Sequence, residues 1–306
     1  MKPFLPRSLC VMVLGLLLAA WPALAADNPF RPKLPFKSAI IKYEMRGSQQ
    51  GKATLYIQGE TSARHEESSM TMMGMKQARK GITITTPDKV VEVDLVAKKA
   101  TATGNMATYM AQQYEKLGPA EQATVRQNAE KMGTALAGQF MGGKPQVKQG
   151  TFKGKPAQIV TMGGMTTYNW KDTPITLKTE GSVMGMRMDQ EAVSIETDVA
   201  VPASALQVPA GIQVVFDQEA DRMQRTMAQN MVNMLKDPQF ESKMGQGQGG
   251  PMGGMIGGML QGMDKDGDGD ARDPGVSDQD QPQGMPQGMP ENMEDLLKQM
   301  KQGRGN

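Results

Sequence analysis

The stretch "AIIKYEMR" (residues 39–46) decides the fold of this chain. Its side chains Ile41, Tyr43 and Met45 alternate with charged residues. The stretch "KATLYIQ" (52–58) repeats the alternation after a short break that contains glycine. A period of two with β-branched and aromatic residues is typical of half-buried strands, and short breaks favour antiparallel hairpins. These residues therefore predict an antiparallel sheet.

Further strands are predicted on both sides of a long interruption. Before it, the alternation fills residues 38–102. In the block after it, we interpret "PITLKTEGSVMGMRMD" (174–189) as one strand. Such a strand would place Met184, Met186 and Met188 on one face of the sheet. These three methionines form the predicted apolar ligand-binding face.

The interruption, residues 107–141, has the period of a helix. Val125, Ala129 and Met132 recur at spacings of four and three, which is typical of an amphipathic helix. We expect a helical insertion that packs on the sheet or covers its open side.

A second amphipathic helix is predicted over residues 217–244. Asp217 is a suitable N-cap, and Pro238 is expected to stop the helix. The expected apolar stripe consists of one alanine and four methionines: Ala220, Met223, Met227, Met231 and Met234.

Residues 245–306 have the composition of a disordered tail. Gly, Gln, Met, Pro and Asp dominate, so the segment has little apolar surface to bury. One short helix is expected at 291–301, and its apolar residues would form a partner-binding surface because a helix this short is marginal alone. Those residues are Met293, Leu296, Leu297 and Met300.

The expected fold class is therefore α+β. An antiparallel β domain would span residues 37–216 and carry the helical insertion 107–141. The C-terminal helix and the tail would follow it.

The N-terminus, "MKPFLPRSLCVMVLGLLLAAWPALAAD", has the three parts of a secretory signal peptide: a basic start, a short apolar core and small residues before a cut. Cleavage would remove residues 1–25 together with Cys10 and leave residues 26–36 as an N-terminal extension. Ala26, not a cysteine, follows the cut, so no lipid anchor is expected. The predicted location is the periplasm, without a membrane span.

The charge balance argues against nucleic acid as a partner. The chain has 34 basic and 32 acidic residues, and two of the basic ones lie in the signal peptide. The mature chain would have no net charge to attract a polyanion.

The stretch "GMDKDGDGDARDPG" (262–275) has half of a calcium loop. Its aspartates occupy the first ligand positions of an EF-hand, but Gly275 stands where a bidentate glutamate is required. The stretch is either an acidic spacer or a weak calcium site. The candidate ligands are Asp264, Asp266, Asp268 and Asp270.

Methionine clusters such as "SMTMMGM" (69–75) and "GMRM" (185–188) allow two interpretations. Closely spaced thioethers suit Cu(I), but alternating methionines also fill a core or a cavity. His65, next to two glutamates, is expected to be solvated or ion-paired. No set of acid, base and nucleophile is evident, so we expect neither an enzyme nor a cofactor.

Several phrases resemble exported bacterial domains related to the Lol-type lipoprotein carriers. They include "GKATLYIQGETSARHE" (51–66), "YNWKDTPI" (168–175) and "VPAGIQV" (208–214). The resemblance covers roughly residues 37–216. It implies a highly curved antiparallel half-barrel, closed by helices, whose apolar concave face holds acyl chains or an apolar partner. The insertion 107–141 and the tail are departures from that pattern.

Three hypotheses follow for function. The first is an exported module that binds a lipid chain or hydrophobic peptide segment on the concave face. The second is a structural or interaction protein of the cell envelope, with a filled core and a partner-recruiting tail. The third is a weak calcium or copper binding protein.

Overall fold

The structure, a computed structural model, describes residues 28–31, 33–72, 75–141, 145–183 and 186–240. Within these ranges the chain forms one sheet of twelve strands and three α-helices. The strands are β1 (Ser38–Gly47), β2 (Gln49–Gln58), β3 (Thr61–Met72), β4 (Met75–Thr85), β5 (Lys89–Asp94), β6 (Lys99–Gly104), β7 (Gln146–Phe152), β8 (Lys155–Met162), β9 (Met165–Trp170), β10 (Thr176–Val183), β11 (Met186–Thr197) and β12 (Val214–Phe216). The helices are α1 (Met106–Glu115), α2 (Pro119–Met141) and α3 (Gln218–Leu235).

The sheet is open, and its order is β12-β6-β5-β4-β3-β2-β1-β11-β10-β9-β8-β7. All neighbouring strands are antiparallel except β12 and β6. Strand β1 therefore lies in the middle, between its hairpin partner β2 and the distant β11. The structure confirms the predicted combination of a mainly antiparallel sheet with helices.

The pairing register defines two faces of the sheet. Directly opposed residues of antiparallel strands share a face, so Tyr43 lies on the same face as Ala53 of β2 and Ala192 of β11. We call this the Tyr43 face. The other side of the sheet carries His65 and Tyr56, and we call it the His65 face.

The buried face changes between β2 and β3. On β1, β2 and β11 the core lies on the Tyr43 face, where Ile41 and Ala192 are fully buried. On β3 to β6 it lies on the His65 face, where Ile82, Ile84 and Val93 pack together. The return segment between β11 and β12 covers this second core with its apolar side chains: Leu206, Val208 and Ile212.

His65 connects that return segment to the sheet through a hydrogen bond. Its Nε2 donates a hydrogen bond to the carbonyl oxygen of Ala205 at 2.7 Å, and its ring meets Tyr56 edge-on. The expectation of a solvated or ion-paired histidine was wrong, because the covering segment was not recognisable as a layer in the sequence.

The helical insertion has the predicted position but contains two helices. Helix α1 begins after the N-cap Asn105, and its last turn closes at Lys116. Helix α2 begins at Pro119, whose missing N–H and fixed φ suit a first helical position rather than an interior one. Val125, Ala129 and Met132 are buried as predicted.

Helix α3 starts at the predicted cap, where the Asp217 carboxylate accepts a hydrogen bond from the N–H of Ala220 at 2.9 Å. It ends at Leu235, before the predicted end. The predicted stripe is only partly correct, because Met231 and Met234 pack against the helical core whereas Met223 is 44% exposed. The fully buried residues each follow a predicted one by one position: Asp221, Ala228, Val232 and Leu235.

The stretch 174–189, predicted as one strand, is a hairpin. Strand β10 ends at Val183, and β11 begins at Met186 as its directly paired partner. Alternation alone does not reveal where one strand of a hairpin ends and the next begins.

The signal peptide, the tail helix and the aspartate stretch all lie outside the described residues. Among the residues that are described, no helix combines the length and the apolar character needed to cross a membrane.

Candidate functional site

A row of methionines crosses four strands on the Tyr43 face. Met188 of β11 pairs with Gly181 of β10, which pairs with Met165 of β9, and Met165 pairs with Met162 of β8. Gly181 contributes no side chain between the first two methionines. Met165 and Met162 are 2% and 6% exposed, whereas Met188 is half-buried. The row therefore runs from packed core to accessible surface.

The sequence identified only the accessible end of this row. Met186 and Met188 lie two residues apart on β11, and both are half-buried, but Met184 lies outside the described residues. Sequence reasoning missed Met162 and Met165. The signal for both was present in "VTMGGMTT", a tight turn flanked by two methionines.

An open cleft lies at the accessible end of the row. Its volume is about 580 Å³. Gly164, Gly181 and Met188 line it, together with four polar residues that belong to the opposite face by register: Glu180, Ser182, Arg187 and Asp189. The cleft is therefore mainly polar, and most of its side chains do not belong to the Tyr43 face.

A polar network lies beside the methionines on the same face. Arg64 forms an ion pair with Glu66 at 3.2 Å and donates a hydrogen bond to Gln190 of β11 at 3.0 Å. Glu66 also accepts hydrogen bonds from Ser68 and Gln49. The face therefore combines apolar and hydrogen-bonding surface, whereas the sequence predicted only apolar surface.

Tyr43 lies beneath this network and is 3% exposed. The Arg64 guanidinium carbon stands 5.4 Å from the centre of its ring. Burial raises the pKa of Tyr43 to about 12, and the nearby positive charge of Arg64 opposes that rise. The phenol is therefore neutral at physiological pH.

The helices attach to the Tyr43 side of the sheet through Asp221. Its carboxylate accepts hydrogen bonds from the Tyr109 hydroxyl at 2.5 Å and from the Gly104 N–H at 2.9 Å. Arg225 donates to its second oxygen at 2.9 Å. A Cβ at Gly104 would overlap the Tyr109 hydroxyl, so this junction requires glycine.

A second polar contact shows which face the helices occupy. Gln224 of α3 donates a hydrogen bond to the hydroxyl of Thr103 on β6 at 3.1 Å. Thr103 belongs to the Tyr43 face by register with Val90. Helix α2 contacts β8, near the opposite edge of the sheet.

The Asp221 junction predicts a specific loss of stability at high pH. Burial and the hydrogen bond to Asp221 raise the pKa of Tyr109 to about 12 from 10.0. Because the folded-state pKa is raised, the Tyr109 hydroxyl contributes up to about 2–3 kcal/mol to the free energy of unfolding. This contribution is complete below pH 10 and is lost as the pH rises toward 12. Denaturant unfolding at pH 9 and pH 11.5 should show a smaller loss for Tyr109→Phe than for the wild type. An equal loss in both proteins would contradict the assignment.

Metal binding finds no support among the described side chains, where no group of three His, Cys, Asp or Glu residues is placed to hold an ion. The aspartates of the calcium hypothesis, Asp264, Asp266, Asp268 and Asp270, lie outside that region. So do the tail residues of the predicted partner-binding helix.

Comparisons with known proteins add little. No protein-family model and no curated protein matches the chain. An uncharacterized conserved protein from Thermus thermophilus is similar over 60% of this chain and 92% of its own, with 11% identity and a TM-score of 0.35. PNGF-II in the space groups C2 and P21 gives TM-scores of 0.34 at 10% and 11% identity, and the match covers 62% and 61% of this chain and 33% of that one. Likenesses this weak transfer neither fold nor function.

Proposed function

We propose that this protein is a binding module that holds an apolar chain between the Tyr43 face and the helices. The observation that carries the proposal is the methionine row, which leads from the accessible Met188 to the buried Met165 and Met162. Methionine is flexible and polarisable, so it adapts to apolar ligands of varied shape. The ligand class is a lipid acyl chain or a hydrophobic peptide segment.

The proposal includes a half-barrel whose concave side is the Tyr43 face. Strands β3 and β11 are three positions apart, about 14 Å in a flat sheet. Arg64 and Gln190 nevertheless meet at 3.0 Å across β2 and β1. Curvature toward the Tyr43 face would shorten that reach. The helices touch β6 and β8, near the two edges, as expected if the sheet curves around them.

The cellular setting is part of the same proposal. The composition of residues 1–25 supports export to the periplasm. The Lol-type resemblance of residues 37–216 supports a carrier or a related acyl-chain binder.

Met188→Asp tests the proposal. If Met188 borders a ligand site, the variant should bind the neutral fluorescent probe phenylnaphthylamine at least about tenfold more weakly than the wild type, because a carboxylate repels an apolar ligand. Stability should fall by only about 1 kcal/mol, since the carboxylate can remain in water at a half-buried position. Fluorescence titration and denaturant unfolding measure the two effects.

The control is Met223→Asp, the same change on helix α3 at a side chain that is 44% exposed. It should leave probe binding unchanged. A wild type that takes up no probe, with a Met188→Asp variant destabilised by several kcal/mol, would show a filled core. That outcome would favour the alternative, a structural or interaction protein of the cell envelope.

A further inference from the structure

Asn169 is a buried polar residue on the same face as the methionine row. It follows Met165 and Thr167 at alternate positions of β9, and it is 3% exposed. Thr167 and its partner Thr179 of β10 are 3% and 7% exposed. A short strip of hydrogen-bonding side chains is therefore buried beside the proposed path of the apolar chain.

The Asn169 side chain is only half satisfied. Its Oδ1 accepts a hydrogen bond from the Thr176 hydroxyl at 2.9 Å. Its Nδ2 is buried and has no hydrogen-bond partner among the described residues. Because a single hydroxyl contacts the amide, exchanging the two amide atoms would still leave one of them unpaired. A buried unpaired donor destabilises a protein by about 1–3 kcal/mol, so its retention points to a missing partner.

The environment of Asn169 indicates the chemistry of that partner. The residues paired directly with Asn169 are Gln158 of β8 and Thr176 of β10, which are both uncharged and half-buried. Its neighbour Trp170 and the adjacent Leu177 of β10 are apolar and buried. The closest charges along β10, Lys178 and Glu180, alternate onto the opposite face and pair with each other at 2.7 Å. A buried anion here would have no counter-charge, and that is highly unfavourable. A neutral acceptor fits better.

We infer that Asn169 Nδ2 donates a hydrogen bond to the carbonyl oxygen of an ester or amide group in the bound chain. The inference rests on the proposed function and narrows its ligand to a neutral, carbonyl-bearing amphiphile. Asn169 would select such a chain over a plain hydrocarbon, and the methionine row would bind the hydrocarbon part of either.

The test compares three ligands of equal chain length: a long-chain methyl ester, the corresponding ether, and the corresponding carboxylate. Each displaces phenylnaphthylamine from the full-length protein, and fluorescence gives the affinities. For the wild type we expect the ester to bind about tenfold more tightly than the ether, from one hydrogen bond to a buried donor. The carboxylate should bind more weakly than the ester.

Asn169→Leu should abolish the ester preference while the ether still binds, because the side chain keeps its size and loses its donor. Asn169→Ala provides the same test if the leucine variant fails to fold. The control is Thr166→Val, on the same strand but facing the other way, where its hydroxyl meets that of Thr161 at 3.1 Å. It should leave the preference unchanged.

The outcomes separate the two proposals. A wild type that binds ester and ether equally, or binds the carboxylate most tightly, overturns the inference and leaves the binding module intact. An ester preference that persists in both Asn169 variants also overturns the inference and leaves the binding module intact. If none of the ligands displaces the probe, or the probe itself does not bind, the proposed function fails and the inference fails with it.

Discussion

Asp221→Ala should lower the free energy of unfolding by about 3–5 kcal/mol, because it removes the acceptor of three hydrogen bonds and the partner of a charge at once. The Tyr109 hydroxyl and the Gly104 N–H would stay buried without their partner. Helix α3 would lose its main polar attachment to β6. Urea unfolding followed by circular dichroism at pH 7 measures the change.

Asp217→Ala is the matched control for this effect. It removes an aspartate from the same end of helix α3, but that carboxylate only caps the helix through the N–H of Ala220. Losing a cap costs about 1 kcal/mol. Equal losses in the two variants would mean that Asp221 does not anchor the helix to the sheet.

Gly181→Ala should be nearly as damaging, with a loss of about 3 kcal/mol and of probe binding. Gly181 has a φ of +142°, and a Cβ there would overlap the backbone of Gly164 and Met165 on the neighbouring strand. Relief of that overlap requires β10 to move away from β9. Such a movement would separate Met188 from Met165 and break the methionine row.

Gly154→Ala is the control that separates the two effects expected in Gly181→Ala, the atomic overlap and the backbone strain at positive φ. Gly154 also has a positive φ, +76°, but a Cβ there would meet nothing within 4 Å. Its variant should lose only about 1–2 kcal/mol and bind the probe normally. If Gly181→Ala resembles this control in stability and in probe binding, the close approach of β9 and β10 is not essential.

The strands and helices were largely predictable from the sequence because both depend on local periodicity. Ile41, Tyr43 and Met45 alternate in the sequence and are buried in the structure. The division of residues 174–189 into β10 and β11 was missed because the alternation of the first strand continues into the second without a break in the sequence pattern. The position of β1 beside β11 was equally hidden, since it depends on pairing between distant segments.

The candidate site was only partly predictable for a different reason. Met186 and Met188 were identified because methionines at alternate positions are conspicuous. Arg64 and Asn169 look like ordinary solvent-facing residues within their strands. Asn169 is buried, and Arg64 forms a hydrogen bond with Gln190, only because other strands lie beside them. A single sequence does not contain that arrangement.

The central position of β1 has a consequence for the order of folding. The strands from β1 to β6 pair with their neighbours in sequence, whereas pairing Ala39 with Thr197 joins segments about 160 residues apart. Closing that loop costs about 2–3 kcal/mol more entropy than closing a ten-residue hairpin. We expect the β1–β6 meander to form first, with β1 as a temporary outer edge. Until β11 arrives, that edge is the part of the newly made chain most exposed to pairing with another copy.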